Sequence, residues 1–279
     1  MNLGKAARTG LRSQTGLSLV ELMIAMVLGL IIISAVLYVF AANRASYSHQ
    51  ESLSHIQESG RFALELLSRD IRMAGFIGCG NLREVEPVTN ISPSPPIWND
   101  STALTGTDTQ ISILTAGPGF VRLSGAMPSL TEMPLGADPL AGVGARMIVT
   151  DCANAEIFDL GNVSGPTGTP PAWTLTAAQP LTRAFQSQSL VMRLRPITYA
   201  YDAANETLTR NGEAIVEGIT GLSFDYGIGA DRNVTSYTSA PTDWGAVSAV
   251  RVNMTISSPT PPALGHEFSK IIGIRNRLP

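Results

Sequence analysis

LSLVELMIAMVLGLIIISAVLYVFAA, residues 17 to 42, holds a single charged side chain, Glu21. Wound as a helix at 1.5 Å per residue the stretch is about 39 Å long, more than the hydrocarbon core of about 30 Å requires. It reads as a membrane-crossing segment. Lys5, Arg8 and Arg12 precede it with no acid among them, and Arg44 is the one cation close behind. The positive-inside bias therefore places the first residues in the cytoplasm and everything after Ala42 across the membrane.

Three kinds of segment share this outline: a cleaved secretory signal, a permanent anchor, and a leader followed by a retained helix. A secretory signal has an apolar stretch of about 7 to 15 residues before a small-residue cleavage site. This run is longer and has a carboxylate near its start, although Ala41 and Ala42 leave late cleavage open. An anchor has no use for Glu21, since a carboxylate near the membrane centre costs about 2.5 to 3.5 kcal/mol on insertion scales. Something has to offset that cost.

Beyond Ala42 the helical pattern continues and turns amphipathic. Leu53, Ile56, Gly60, Ala63, Leu67, Ile71 and Ala74 recur at steps of three or four and draw one apolar stripe, expected to pack on the chain's own body. Glu58 with Arg61 and Glu65 with Arg69 stand at helical neighbour spacing on the charged side. The pattern predicts one helix from about Leu17 to Met73, stopped by the glycines at 75 to 80.

The rest suits a β-rich body. At 279 residues the chain can bury a sizeable core; it is only 15% charged, against about 25% in an average protein, with 26 Gly and 18 Pro. Residues 81–144 read as loops with few strands, interrupted by a strand-like Gln110–Leu114. Strands are then expected at Arg146–Val149, Glu156–Leu160, Leu190–Leu194, Thr198–Tyr201, Thr207–Arg210, Ala214–Val216, Leu222–Tyr226, Val247–Ile256 and Phe268–Ile274. Asn211-Gly212 signals a hairpin, and Val250, Val252, Met254 and Ile256 alternate with polar residues as a strand with one buried face does. The expected fold is α+β, a long N-terminal helix on a mostly antiparallel sheet. The pattern divides the chain into 1–16, a short basic segment, 17–42, a transmembrane half-helix, 43–76, an amphipathic half-helix, and 77–279, a β-rich domain across the membrane.

Cys79 falls just past the helix and Cys152 just past a strand, so outside the cytoplasm they can pair and tie helix end to sheet; two buried thiols are the alternative. The net charge is −3, and without the three leader cations 19 less 3 basic residues face 22 acidic ones, a net of −6. That balance gives no electrostatic reason to expect nucleic-acid binding.

No constellation for catalysis emerges. His49, His55 and His266 lack metal-ligand spacing and read as surface residues. The glycine pair at 227 and 229 lacks the rest of a phosphate loop, and Ser223 lacks the second glycine of a nucleophile elbow. Asp225, Asp231 and Asp243 are oxygen ligands without calcium-loop spacing and read as loop caps. Phe224, Tyr226, Tyr237 and Trp244 fit the core of the sheet or a contact patch for a neighbouring subunit. No catalytic residue, metal site or cofactor is assigned.

TGLSLVE, residues 15 to 21, resembles the type III signal of type IV pilins: a basic leader, a glycine, an apolar first mature residue and a glutamate at the fifth mature position. Leu17 stands where many pilins have phenylalanine. The resemblance implies that a prepilin peptidase cuts between Gly16 and Leu17 and methylates the new amine of Leu17. It makes 1–16 a leader peptide and 77–279 a periplasmic domain, and it implies that Glu21 pairs with the terminal amine of a neighbouring subunit during docking. Residues 58–81 (ESGRFALELLSRDIRMAGFIGCGN), 208–227, 242–254 and the terminal IGIRNRLP are similar to the PilW family of type IV pilus minor pilins. Ser68–Arg72 is shared with J-type minor pseudopilins of type II secretion, the alternative; a membrane-anchored periplasmic enzyme or binding protein is a further one. The PilW resemblance implies a minor pilin that works with other minor pilins, the major pilin, the inner-membrane assembly platform and a tip adhesin. It implies residence first in the inner membrane and then in the pilus, in a complex that primes assembly at the tip and supports pilus-dependent motility or adhesion.

Overall fold

The structure is a computed structural model that describes residues 18–79, 89–90, 101–139, 141–169, 171–229, 233–258 and 264–277. Gly16, Leu17, the leader and Asp231 lie outside the described residues. The chain divides into two compact units, Met1–Ser52 and Leu53–Pro279.

One helix, α1, runs from Leu19 to Arg72. Its first part is long and apolar enough to cross a membrane, and none of the most apolar 18-residue window is buried by protein. Ser34 donates its hydroxyl proton to the Leu30 carbonyl at 2.7 Å, so its polar group is satisfied within the helix itself. In the second unit the expected stripe is observed: Ile56, Gly60, Ala63, Leu67, Ile71 and Ala74 are buried. Leu53, at the start of the stripe, is 39% exposed and stands apart from it. The helix ends where Gly75 turns to a φ of 73°, a left-handed conformation that favours glycine.

The body contains fourteen described strands. They are β1 (Thr89–Asn90), β2 (Leu104–Gly106), β3 (Gln110–Arg122), β4 (Glu132–Leu135), β5 (Arg146–Thr150), β6 (Ala155–Thr167), β7 (Ala172–Ala177), β8 (Leu190–Asp202), β9 (Thr207–Arg210), β10 (Glu213–Glu217), β11 (Ile219–Ile228), β12 (Ser236–Thr238), β13 (Val247–Ser257) and β14 (Gly265–Gly273). The larger sheet runs β10-β9-β8-β5-β6-β7-β4, with β3 along the other flank of β8, β2 on β3, and β1 parallel to β6. The smaller sheet is antiparallel in the order β12-β11-β13-β14. The fold is α+β.

Both sheets contribute to the core that receives α1. Ile56, Ala63, Leu67 and Ile71 share one cluster with Ile111, Ile197, Tyr199 and Leu208 of the larger sheet and Phe224, Val250, Val252 and Ile272 of the smaller. Each fully buried Ile or Leu contributes about 1.5 to 3 kcal/mol. Gly60 makes the approach possible, because a Cβ there would lie 2.3 Å from the Phe268 ring. Asn211 and Gly212 adopt φ of 55° and 86° in the β9–β10 turn, the geometry such a hairpin needs.

Two expectations are corrected. Residues 81–144 are richer in strand than their Pro and Gly content suggests. β2 and β4 lie within them, and β3 continues to Arg122 because an irregularity between Ala116 and Phe120 absorbs Gly117-Pro118-Gly119. Leu190–Leu194 and Thr198–Tyr201 are parts of one strand, β8, which passes through Pro196. Pro196 faces Leu114, whose amide donates to Ala103 on the far side, so this pair exchanges no hydrogen bonds. The proline nitrogen therefore points to the other flank of β8, into the gap between β5, which pairs with β8 up to Arg193, and β9, whose pairing with β8 starts at Tyr199.

Candidate functional site: the apolar helix and the clamp at the helix end

In the first unit the distinguishing group is Glu21. It sits in the first turn of α1, where a carboxylate is favoured by the helix dipole, and it is exposed. The large apolar side chains that follow, from Leu22 to Phe40, are exposed as well. No side chain among the described residues partners Glu21. A surface this apolar is stable only in lipid or against other apolar helices.

In the second unit the C-terminal turn of α1 is clamped by several elements. Asp70 is only 7% exposed. Its Oδ2 accepts from the Tyr199 hydroxyl at 2.7 Å and from Arg210 Nη2 and Nε at 2.9 and 3.2 Å. Arg210 Nε also donates to the Tyr199 oxygen at 3.1 Å. One carboxylate on the helix thus holds β8 and β9 together. Burial works against the Arg210 charge, but its bonds to Asp70 and Tyr199 outweigh that and hold its pKa above the usual arginine value.

The backbone after the helix is stitched to β3. The Gly75 amide donates to Leu114 at 2.9 Å, and the Ala116 amide donates to Phe76 at 2.8 Å. From the C-terminus, Asn276 donates its side-chain amide to the Ala74 carbonyl at 2.9 Å. Its neighbour Arg277 is 4% exposed and donates to the carbonyls of Trp244 and Val247 at 2.6 and 2.8 Å. Cys79 is bonded to Cys152, with Cα atoms 5.2 Å apart. The β5–β6 turn presents Cys152 at a φ of 73°, while Asp151 Oδ1 accepts from the amides of Ala153 and Asn154 at 3.0 and 2.6 Å.

The remaining candidates are structural. Phe224 and Tyr226 are fully buried, and Trp244 packs edge-on against Tyr226 at 4.7 Å. Tyr237 lies under the Arg251 guanidinium at 3.7 Å. Asp243 caps a 3-10 turn by accepting from the Gly245 amide at 2.9 Å, and Asp225 accepts from Asn253 at 3.1 Å. Ser223 accepts from Asn253 across the strands, and His266 stacks edge-on with Phe268. Among the described residues no group of three or more His, Cys, Asp or Glu could hold a metal ion. Sequence reasoning missed Asp70, Tyr199 and Arg210. The available signal was a carboxylate three residues after Leu67 and four before Ala74, on the apolar stripe itself.

Tyr199 and Tyr226 are both held above the ordinary tyrosine value of 10.0, chiefly by burial, reinforced by Asp70 for Tyr199 and by the charge of Asp108 for Tyr226. A raised folded-state pKa contributes stability that is complete below the unfolded value and is lost as pH rises beyond it. The body is therefore expected to lose stability above about pH 10. In an alkaline titration these two phenolates should appear only as near-UV circular dichroism collapses. Their ionisation near pH 10 with the fold intact would contradict the burial.

Two family models match the chain. Residues 11–37 match the prokaryotic N-terminal methylation motif, which takes in Gly16, Leu17 and Glu21. Residues 183–271 match Type IV Pilus-assembly protein W, a span that contains β8 to β13 and most of β14, with Tyr199 and Arg210 of the clamp. No curated protein and no solved structure matches the chain. With a methylation motif leading into an exposed apolar helix, and a stretch similar to Type IV Pilus-assembly protein W forming strands that grip that helix's end, the chain is similar to type IV pilin-like proteins over residues 11–37 and 183–271.

Proposed function

We propose that the chain is a minor pilin that joins other minor pilins in priming assembly of the type IV pilus at its tip. The observation that carries this reading is Glu21, a carboxylate without a side-chain partner among the described residues at the head of a bare apolar helix. Cleavage between Gly16 and Leu17 creates an amine on Leu17, and the corresponding amine of an adjacent subunit is the positive partner that offsets burial of Glu21. Such a pair fixes axial register more than it adds stability. On this reading residues 1–16 are removed, 17–42 cross the inner membrane, 43–76 continue the helix, and 77–279 form the periplasmic body. The prepilin peptidase, the assembly platform, the major pilin and a tip adhesin are the partners it requires. The role is structural, without catalysis.

In Glu21→Ala the expected result is a mature N-terminus at Leu17 by mass spectrometry, normal membrane levels, and near absence from sheared pili. Wild-type amounts of the variant in sheared pili overturn the docking role, and a mature N-terminus at Asn43 overturns the leader. Deletion should abolish twitching and leave type II secretion intact.

A further inference from the structure

The irregularity in β3 that admits Gly117-Pro118-Gly119 opens a cleft of about 450 Å³ on the body. Between Ala116 and Phe120 β3 advances four residues while β8, opposite, advances two, from Leu194 to Met192. The extra backbone loops past Arg193. Bulges of this kind recur where a strand re-aims side chains at a site. A Cβ at 117 would be a tight fit, 3.1 Å from the Arg195 Cδ and 3.2 Å from the Arg193 carbonyl, whereas the space around Gly119 is open.

Arg193 and Arg195 line the cleft from one face of β8. Both are exposed, and neither has an ion-pair or hydrogen-bond partner for its guanidinium among the described residues. Phe120, 56% exposed, forms another wall, with the Arg122 guanidinium 5.3 Å from its ring centre. Asp138 is the one acidic lining residue among the described residues and is engaged in an interaction of its own. In a chain of net charge −3, two arginines lining a glycine-walled recess, with a third against the exposed aromatic ring that forms another of its walls, stand out.

We infer that this cleft binds a small ring-bearing oxyanion, an acidic sugar carrying a carboxylate or a phosphate. Two adjacent guanidinium forks match the paired oxygens of such a group, and a flat apolar ring such as Phe120 accepts the C–H face of a sugar. The volume suits one or two rings. A long polyanion fits less well, since the acidic balance of the whole chain repels it while leaving a single charge little affected.

The test uses the full-length chain in detergent micelles, titrated by ligand-observed NMR with glucuronate, glucose 6-phosphate, neutral glucose and a single-stranded oligothymidylate. One or both sugar anions should bind, with a dissociation constant of about 1 mM, and glucose at least tenfold more weakly. The two anion arms separate a carboxylate source from a phosphate source. Arg193→Gln/Arg195→Gln should weaken binding at least tenfold without a change in melting temperature, and Phe120→Ala should weaken it severalfold. Equal binding of glucose, binding unchanged in the arginine variant, no binding of either anion, or an oligonucleotide bound more tightly than both sugars each overturns the assignment.

Discussion

Asp70→Ala should destabilise the body by about 3 kcal/mol, measured as a shift of the denaturation midpoint of the chain in detergent. The substitution removes the acceptor of the buried Tyr199 hydroxyl and the ion-pair partner of Arg210, whose side chain is 24% exposed. A cation left in that position recovers part of its hydration, which is why the expectation sits at the lower end of the range for broken buried pairs. Tyr199→Phe should cost about 1 kcal/mol, because Asp70 keeps both of its bonds to Arg210. Arg210→Met leaves the carboxylate with one strong donor and should approach the cost of Asp70→Ala. The combination Asp70→Leu/Arg210→Met should cost much less than the sum of the two single changes, since no buried charge then remains unpaired. A loss under about 1 kcal/mol for Asp70→Ala, or strict additivity in the pair, would show that the cluster is hydrated and does not clamp the helix.

This cluster illustrates which parts of the molecule a reader of the sequence can reach. The long helix was legible because its information is local: an apolar run of membrane length, then a stripe at steps of three and four, then glycine. The β9–β10 hairpin was legible at Asn211-Gly212, and β13 through the alternation of Val250, Val252, Met254 and Ile256, again within a few residues. Glu21 was legible because a charge within an apolar run is conspicuous. What was missed depends on partners far along the chain. Gly117-Pro118-Gly119 looks like a break until β8 supplies a strand that accommodates the excess, and Pro196 looks like a strand end until its nitrogen is seen to face a gap between β5 and β9. β7 was missed because Ala172–Ala177 is short and flanked by Pro-rich sequence, yet it pairs on both sides, with β6 and β4.

The four stretches whose sequence resembles PilW, two of which (208–227 and 242–254) lie inside the matched span 183–271, gain a physical reading from the same geometry. Residues 58–81 contain Asp70, Ala74 and Cys79; residues 208–227 contain Arg210; residues 242–254 contain Trp244 and Val247; and the C-terminal stretch contains Asn276 and Arg277. These residues hold the exit of α1 through side-chain and carbonyl contacts in one region of the body. Their common task is to fix how the helix end enters the sheet.

Loss of the covalent tie in that region is expected to have the larger effect. Cys79 and Cys152 close a sequence separation of 73, for which loop entropy alone gives about 4 kcal/mol. The native side needs no rearrangement to form the bond, since the Asp151–Asn154 turn holds Cys152 in place by amide bonds to Asp151. Ile77, fully buried between the helix end and Cys79, packs with Ile148, Ile157 and Met192 and anchors the other side. Cys79→Ser/Cys152→Ser should therefore lose about 2 to 5 kcal/mol and, in an oxidising compartment, lower the steady-state level of the protein severalfold. The double variant is preferred to a single one because it leaves no reactive thiol behind. Reductant should lower the wild-type melting temperature toward that of the variant and leave the variant unchanged. The Asp70 cluster and the disulfide grip opposite ends of the segment from Asp70 to Cys79, so their losses should not simply add: once the disulfide is absent, Asp70→Ala should free the helix exit as a unit. A triple variant whose loss equals the sum within about 0.5 kcal/mol would show instead that the two ties act independently.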